Sequence, residues 1–141
     1  MKSQVQFKKL DPKAKINQPC YSGDVGYDIF SVESKWIWPL FPKAVDTGLA
    51  LGMDDGLYCT VETRSGHGVK KHLRCHRGII DSGYRGRITI KVYNHGILPH
   101  KIKTGEKIAQ MVFHPTTKPK LTEVKNLKKS DRNEKGFGST G

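Results

Sequence analysis

The residue best placed for chemical work is Asp81. It follows Ile79 and Ile80 and precedes Ser82-Gly83-Tyr84-Arg85-Gly86, a turn written in small residues and glycines. A carboxylate at the edge of an apolar strand is expected to be poorly solvated, which suits it to take a proton from a bound water. The same position suits a carboxylate that bonds backbone N–H groups and holds the turn, and the residue types leave both roles open. Arg64-Ser65-Gly66 follows a strand-like run and opens a possible helical turn. Free N–H groups there, with a guanidinium fork beside them, form a natural phosphate cradle. The chain's last residues, Gly136-Phe137-Gly138-Ser139-Thr140-Gly141, formally match a dinucleotide fingerprint. That reading fails because no helix follows. What remains is a glycine-rich tail that either stays disordered or wraps an anion with its N–H groups and hydroxyls. His67, His72, Cys75 and His76 lack the spacing of a zinc site. His67 and His76 are therefore expected on the surface or lining a site.

These groups must be held by strands. Ile88, Ile90 and Val92 alternate with Arg87, Thr89 and Lys91, the period-2 pattern of a strand with one face in a core. Leu57, Cys59 and Val61 alternate likewise, which makes Cys59 a small buried hydrophobe. Strands are also expected over Val5–Leu10, into Ile29-Phe30, around Trp36 and Trp38, around Gly48, and from Ile108 to Phe113, where Pro115 ends the run. The two Trp are expected in the core or a subunit interface. Asp54-Asp55-Gly56 reads as a hairpin turn. Residues 67–72 read as one helical turn. Short strands at steady spacing without a long helix predict an all-β sandwich, barrel or jelly roll.

With 141 residues the chain suits one domain. We divide it into a β domain over 1–115 and a polar, basic C-terminal arm over 116–141, anchored only by Leu121, Val124 and Leu127. The net charge is +12, from 25 Lys and Arg against 13 Asp and Glu. That favours a polyanionic partner, and a nucleoside triphosphate satisfies it as well as a nucleic acid does. No RNA-recognition or helix-turn-helix pattern is present, so nucleic acid is expected to bind only weakly and non-specifically. The three cysteines include no Cys-x-x-Cys pair and point to a reducing compartment. No apolar run of membrane-spanning length and no export signal occurs. A cytoplasmic location is expected, or the host cytoplasm or nucleus if the chain is viral.

Taken in order, five pieces of the chain resemble the motifs of the homotrimeric deoxyuridine triphosphate nucleotidohydrolases (dUTPases). They are Gly23-Asp24-Val25-Gly26-Tyr27-Asp28-Ile29, Arg64-Ser65-Gly66, Gly78 to Gly86, Gly105-Glu106-Lys107-Ile108-Ala109-Gln110, and Arg132 with Gly136 to Gly141. The resemblance implies a jelly-roll subunit and a trimer with active sites shared between subunits, closed by the C-terminal arm of one chain. It implies hydrolysis of dUTP to dUMP and pyrophosphate, which keeps uracil out of DNA and supplies dUMP for dTMP synthesis. Asp81 is then the general base. Tyr84 lies under the deoxyribose, and Gly78 and Ile80 belong to the hairpin that reads uracil through its backbone. Arg64, Ser65, Gly66 and Gln110 bind the phosphates. Asp28 stands near a magnesium ion, reaching it through water. Phe137 stacks on uracil, and Arg132, Gly138, Ser139 and Thr140 close on the γ-phosphate end.

Thr63, His67, Cys75, Gly83, Asn133 and Lys135 depart from the residues usual in that family. None removes a catalytic group. Two other readings remain: a dCTP deaminase-like enzyme of the same fold, and a dUTPase-like binding protein that contacts nucleic acid or a regulatory partner.

Overall fold

The alternation of Ile88, Ile90 and Val92 is realised in strand β9 (Ile88–Asn94), whose three apolar residues are buried while Arg87, Thr89 and Lys91 face out. The computed structural model describes residues 3–138. Around β9 stand β1 (Val5–Lys9), β5 (Lys43–Met53) and β7 (Leu73–Cys75), in the order β1-β5-β9-β7. A second sheet runs β2-β3-β11-β6-β8, from β2 (Ile16–Asn17), β3 (Tyr27–Phe30), β11 (Lys107–Pro115), β6 (Leu57–Glu62) and β8 (Ile79–Ile80). A small sheet pairs β4 (Lys35–Ile37) with β10 (His100–Ile102). Every pairing between named strands is antiparallel. The one helix among the described residues is α1 (Ser65–Lys70). The protein is thus all-β, with the two large sheets forming a jelly-roll sandwich, and no described helix is long and apolar enough to cross a membrane.

The core is filled from both sheets. Val45, Leu49, Leu51, Leu73, Ile88, Ile90 and Val92 meet Ile29, Cys59, Val61, Ile108, Ala109 and Met111. Burial pushes the Cys59 thiol up to about 12, so it behaves as a hydrophobe. The long strand β5 pairs with β9 along its first part and with β1 along its last, and it bulges at Gly48 between them. The register with β9 slips between Asp46 and Leu49, and Gly48 sits at φ +65°. A side chain there would also crowd Asp11 and Val32, so the position requires glycine on both counts.

Three sequence expectations change. The Asp54–Gly56 turn forms, closed by Leu57 N–H donating to Asp54 O at 3.0 Å. However, it links β5 to β6, which lie in different sheets, so it is a crossover and not a hairpin. On β4 it is Ile37 that faces the core, at 0% exposure, while Trp36 and Trp38 are about half exposed. The period-2 pattern fixes two faces without saying which is inner, and the smaller branched residue won. Leu121, Val124 and Leu127 are exposed, so in a single chain they anchor the arm to nothing.

Candidate active site

One group of predicted residues gathers at one end of the second sheet. Asp28 on β3 stands opposite Gln110 on β11, and Gln110 stands opposite Glu62 on β6. Arg64 lies just past the end of β6, in extended backbone, and opens α1. Its Nε donates to Asp28 Oδ1 at 2.9 Å, and Lys107 Nζ approaches the other carboxylate oxygen at 3.4 Å. Gly26 lets Gln110 lie down across the first motif, since a Cβ there would overlap Gln110 Oε1. Together Gly23, Asp24, Gly26, Asp28 and Gln110 line a groove of about 380 Å³. Gly26→Ala should therefore fold normally, because a flexible amide can swing away. It should raise the KM for the phosphate-bearing ligand roughly tenfold by displacing Gln110, measured by steady-state kinetics beside an unfolding midpoint.

Lys107 lies inside the fourth motif yet carries no sequence signal of a site role, because its approach to Asp28 arises only from the pairing of β3 with β11. Among the described residues no three His, Cys, Asp or Glu gather to hold a metal. Both oxygens of Asp28 face cations. This donor set suits magnesium carried on phosphate oxygens with its own waters, and does not suit a resident ion on protein ligands.

The other predicted group sits on the β7–β8 connection and the turn after it. Gly78, Ile80, Tyr84, His76, Arg87 and Lys91 line a second groove of about 380 Å³ beside β9. Tyr84 N–H donates to Asp81 O at 3.1 Å, and Tyr84 Oη donates to Arg87 O at 3.0 Å. The ring is folded down over Gly86, where a Cβ would overlap it. That fixes a half-exposed aromatic plate at the mouth of the groove. Asp81 is exposed, contrary to the expectation of poor solvation. The reason is that β8 is the edge of its sheet, so nothing in the same chain covers the carboxylate. Thr63 and Cys75, two of the departures noted above, touch: Cys75 N–H donates to Thr63 Oγ1 at 3.1 Å, tying the end of β6 to β7.

Asp81 and Arg64 do not meet within one chain. The β6–β8 register (Cys59 with Ile80, Thr60 with Ile79) puts Asp81 opposite Tyr58, and the two share a cavity of about 670 Å³. Arg64 is six residues further along the β6 direction, about 20 Å at the rise of an extended strand. On the arm, Arg132 Nε donates to Lys135 O at 2.6 Å and Phe137 is fully exposed. Gly138 sits at φ +76°. Ser139 and Thr140 lie outside the described residues.

His67 is a correction. It is buried, 5% exposed, because α1 tucks beneath the turn before β11. Burial, with the nearby charges of Lys71, Arg64 and His100, holds its pKa below the ordinary 6.5 against the opposing pull of Glu106. The folded state therefore prefers neutral His67, while the unfolded chain binds the proton more readily. Stability from this group is full above about pH 6.5 and is lost as pH falls below it. The urea midpoint should drop between pH 7.5 and 5.5, and less so in His67→Leu.

The dUTPase family model matches residues 12–141. The deoxyuridine 5'-triphosphate nucleotidohydrolase of Clostridium acetobutylicum is 40% identical over 139 residues, covering 97% of this chain and 96% of that protein. That of Swinepox virus is 36% identical over 137 residues, covering 97% and 96%. Among solved structures, the dUTPase of Staphylococcus bacteriophage 80alpha with bound dUPNHPP superposes with a TM-score of 0.89 at 31% identity, over 98% of both chains. A mutant of the phage 80alpha dUTPase gives 0.91 at 30% identity over 99% of both. With the motifs in order, the sheets matched end to end and the relatives spanned over nearly their full length, the chain belongs to the dUTPase family.

Proposed function

We propose that this protein hydrolyses dUTP to dUMP and pyrophosphate, as a homotrimer whose active sites are completed between subunits. The observation that carries the shared site is the separation along β6. The candidate base and the phosphate-binding group belong to one sheet yet stand at opposite ends of it, so one chain cannot apply both to one nucleotide. A second copy that brings its Arg64–Gln110 end to the Asp81–Tyr84 end of the first resolves this. The same contact supplies the cover that Asp81 lacks in a single chain.

In this reading the residues 1–115 form the catalytic domain and 116–141 the arm. The groove beside Gly78 and Ile80 takes uracil against backbone groups. The Tyr84 plate, locked by its bond to Arg87 O, lies under the deoxyribose and clashes with a 2′-hydroxyl. Arg64, Ser65, Gly66 and Gln110 hold the phosphate chain, with Lys107 adding charge. Asp28 would hold magnesium through water, and the ion when bound would neutralise charge on the phosphate oxygens. Asp81 accepts a proton from water as that water's oxygen bonds to the α-phosphorus. The bond from the α-phosphorus to the bridging oxygen breaks, and pyrophosphate leaves. The arm of another chain closes the site, Phe137 stacking on the base while Arg132, Gly138, Ser139 and Thr140 meet the γ-phosphate. Such an enzyme works in the reducing aqueous compartment where nucleotides are made: the cytoplasm, or the host cytoplasm or nucleus for a viral protein. It lowers dUTP available for DNA and supplies dUMP for dTMP synthesis.

The test is pyrophosphate release with magnesium from dUTP, dTTP, dCTP and UTP. Turnover of dUTP alone is expected. Ammonia release from dCTP would favour the deaminase alternative, and no turnover by folded protein would favour a binding protein.

A further inference from the structure

Beneath the Arg64–Gly66 loop lies a partly buried polar cluster that the mechanism does not use. Glu106 precedes β11, and its Oε2 is approached by His67 Nε2 at 3.2 Å, Lys71 Nζ at 3.8 Å and His100 Nε2 at 3.8 Å. His67 comes from α1, Lys71 from just after it, and His100 from β10. No aligned hydrogen bond completes the group: Glu106 Oε2 and His100 Nε2 are both buried without one. Buried polar atoms left short of partners are costly, so an arrangement that keeps them close together has to be over-determined by what surrounds it.

The helix above them needs such support. α1 has six residues and no side-chain cap, far too short to hold itself. Arg64, Ser65 and Gly66 ride on its first turn. Their position relative to Gln110 on β11 therefore depends on what ties α1 to the start of β11. The 3.2 Å approach of His67 Nε2 to Glu106 Oε2 is a direct side-chain contact between these two elements, and it stands one turn from Arg64 and four residues from Gln110.

We propose that His67 is a positioning residue for phosphate binding: through Glu106, backed by His100, it sets the distance between the Arg64–Gly66 loop and Gln110. The proposal rests on the dUTPase reading for the identity of the ligand, but the tie itself does not. His67 touches no substrate. Its work is expected in ground-state phosphate affinity and not in the proton transfer, which in the shared site falls to the Asp81 of another subunit.

The decisive comparison is wild type, His67→Leu and His67→Gln, with leucine filling the buried volume and glutamine returning an N–H donor near the place of Nε2. Two readouts are taken: KM and kcat for dUTP, and calorimetric titration with inorganic pyrophosphate. His67→Leu should raise the KM and weaken pyrophosphate binding about tenfold with kcat within about twofold, and His67→Gln should recover most of that loss. In the free protein, Glu106→Gln should shift the His67 imidazole titration followed by NMR. Wild-type affinity in His67→Leu, a loss confined to kcat, failure of that variant to fold, or an unmoved His67 titration would each overturn the proposal. If wild type does not turn over dUTP, the functional reading falls, and the pyrophosphate and NMR arms still decide the tie.

Discussion

Asp81→Asn is expected to lower kcat for dUTP by about 10²–10⁴, the usual contribution of a positioned general base, with KM changed little. The substitution is nearly isosteric, and Asp81 is exposed at the end of an edge strand, so the fold should not notice it. The turn it begins is held by main-chain bonding, Tyr84 N–H to Asp81 O, which the variant keeps. This separates the two roles open at the outset. A carboxylate that only holds the turn would, when replaced, lower the unfolding midpoint and leave most of the activity. A base would leave the midpoint alone and take the activity with it. Rapid-quench kinetics beside a urea titration reads both. A variant retaining more than about a tenth of the wild-type kcat would remove Asp81 from the chemistry.

The second large effect is expected at Arg64. Removing the guanidinium takes a phosphate donor away, and it also frees Asp28 Oδ1 from its 2.9 Å partner, leaving that carboxylate with Lys107 alone. A carboxylate so released presents negative charge to an incoming triphosphate, so the loss exceeds that of the donor. Arg64→Ala should lower kcat/KM for dUTP by about 10²–10³, the scale seen when one preorganised donor to a charged group is deleted. Arg64→Lys should recover only part, because a point charge cannot serve Asp28 and a phosphate oxygen in the fixed planes of a fork. Asp28→Asn in the Arg64→Ala background should restore some pyrophosphate affinity measured without magnesium, where the exposed charge is gone and the metal role of Asp28 does not enter. Steady-state kinetics of the two Arg64 variants checks their order, and equal activity of the lysine and arginine enzymes would count against the fork.

Much of this was legible in the chain. The alternation through β9 gave its inner face residue by residue, and Cys59 was placed in the core by the alternation of β6 alone. The motif residues Asp28, Arg64 and Gln110 meet in the structure although 82 positions separate the first from the last, because strand pairing gathers residues that are remote along the chain. What stayed hidden has a common cause. Alternation says that two faces differ, not which is inner, so it cannot tell that Ile37 and not Trp36 or Trp38 enters the core of a single chain. A turn signal says that the chain reverses, not that its strands pair, so Asp54–Gly56 passed for a hairpin. His67 reads as surface because it sits between Gly66 and Gly68 and ahead of two lysines, with Val69 its one apolar neighbour; its burial comes from the turn before β11, where Glu106 meets it. Asp81 looked desolvated because its strand is apolar, but being at a sheet edge is a property of topology. For the same reason the Arg64 and Asp81 motifs, both visible in the sequence, do not by their residues show how far apart they stand within one chain.

That separation can be tested by mixing. Asp81→Asn and Arg64→Ala proteins, each nearly inactive alone, are unfolded together, refolded at equal amounts and assayed for dUTP turnover. If every site takes Asp81 from one chain and Arg64 from another, random assembly makes about a quarter of sites intact, and activity should return to about a quarter of wild type. A mixture no more active than its two parents, in trimers shown to contain both chains, would place both residues in one chain's site and contradict the account.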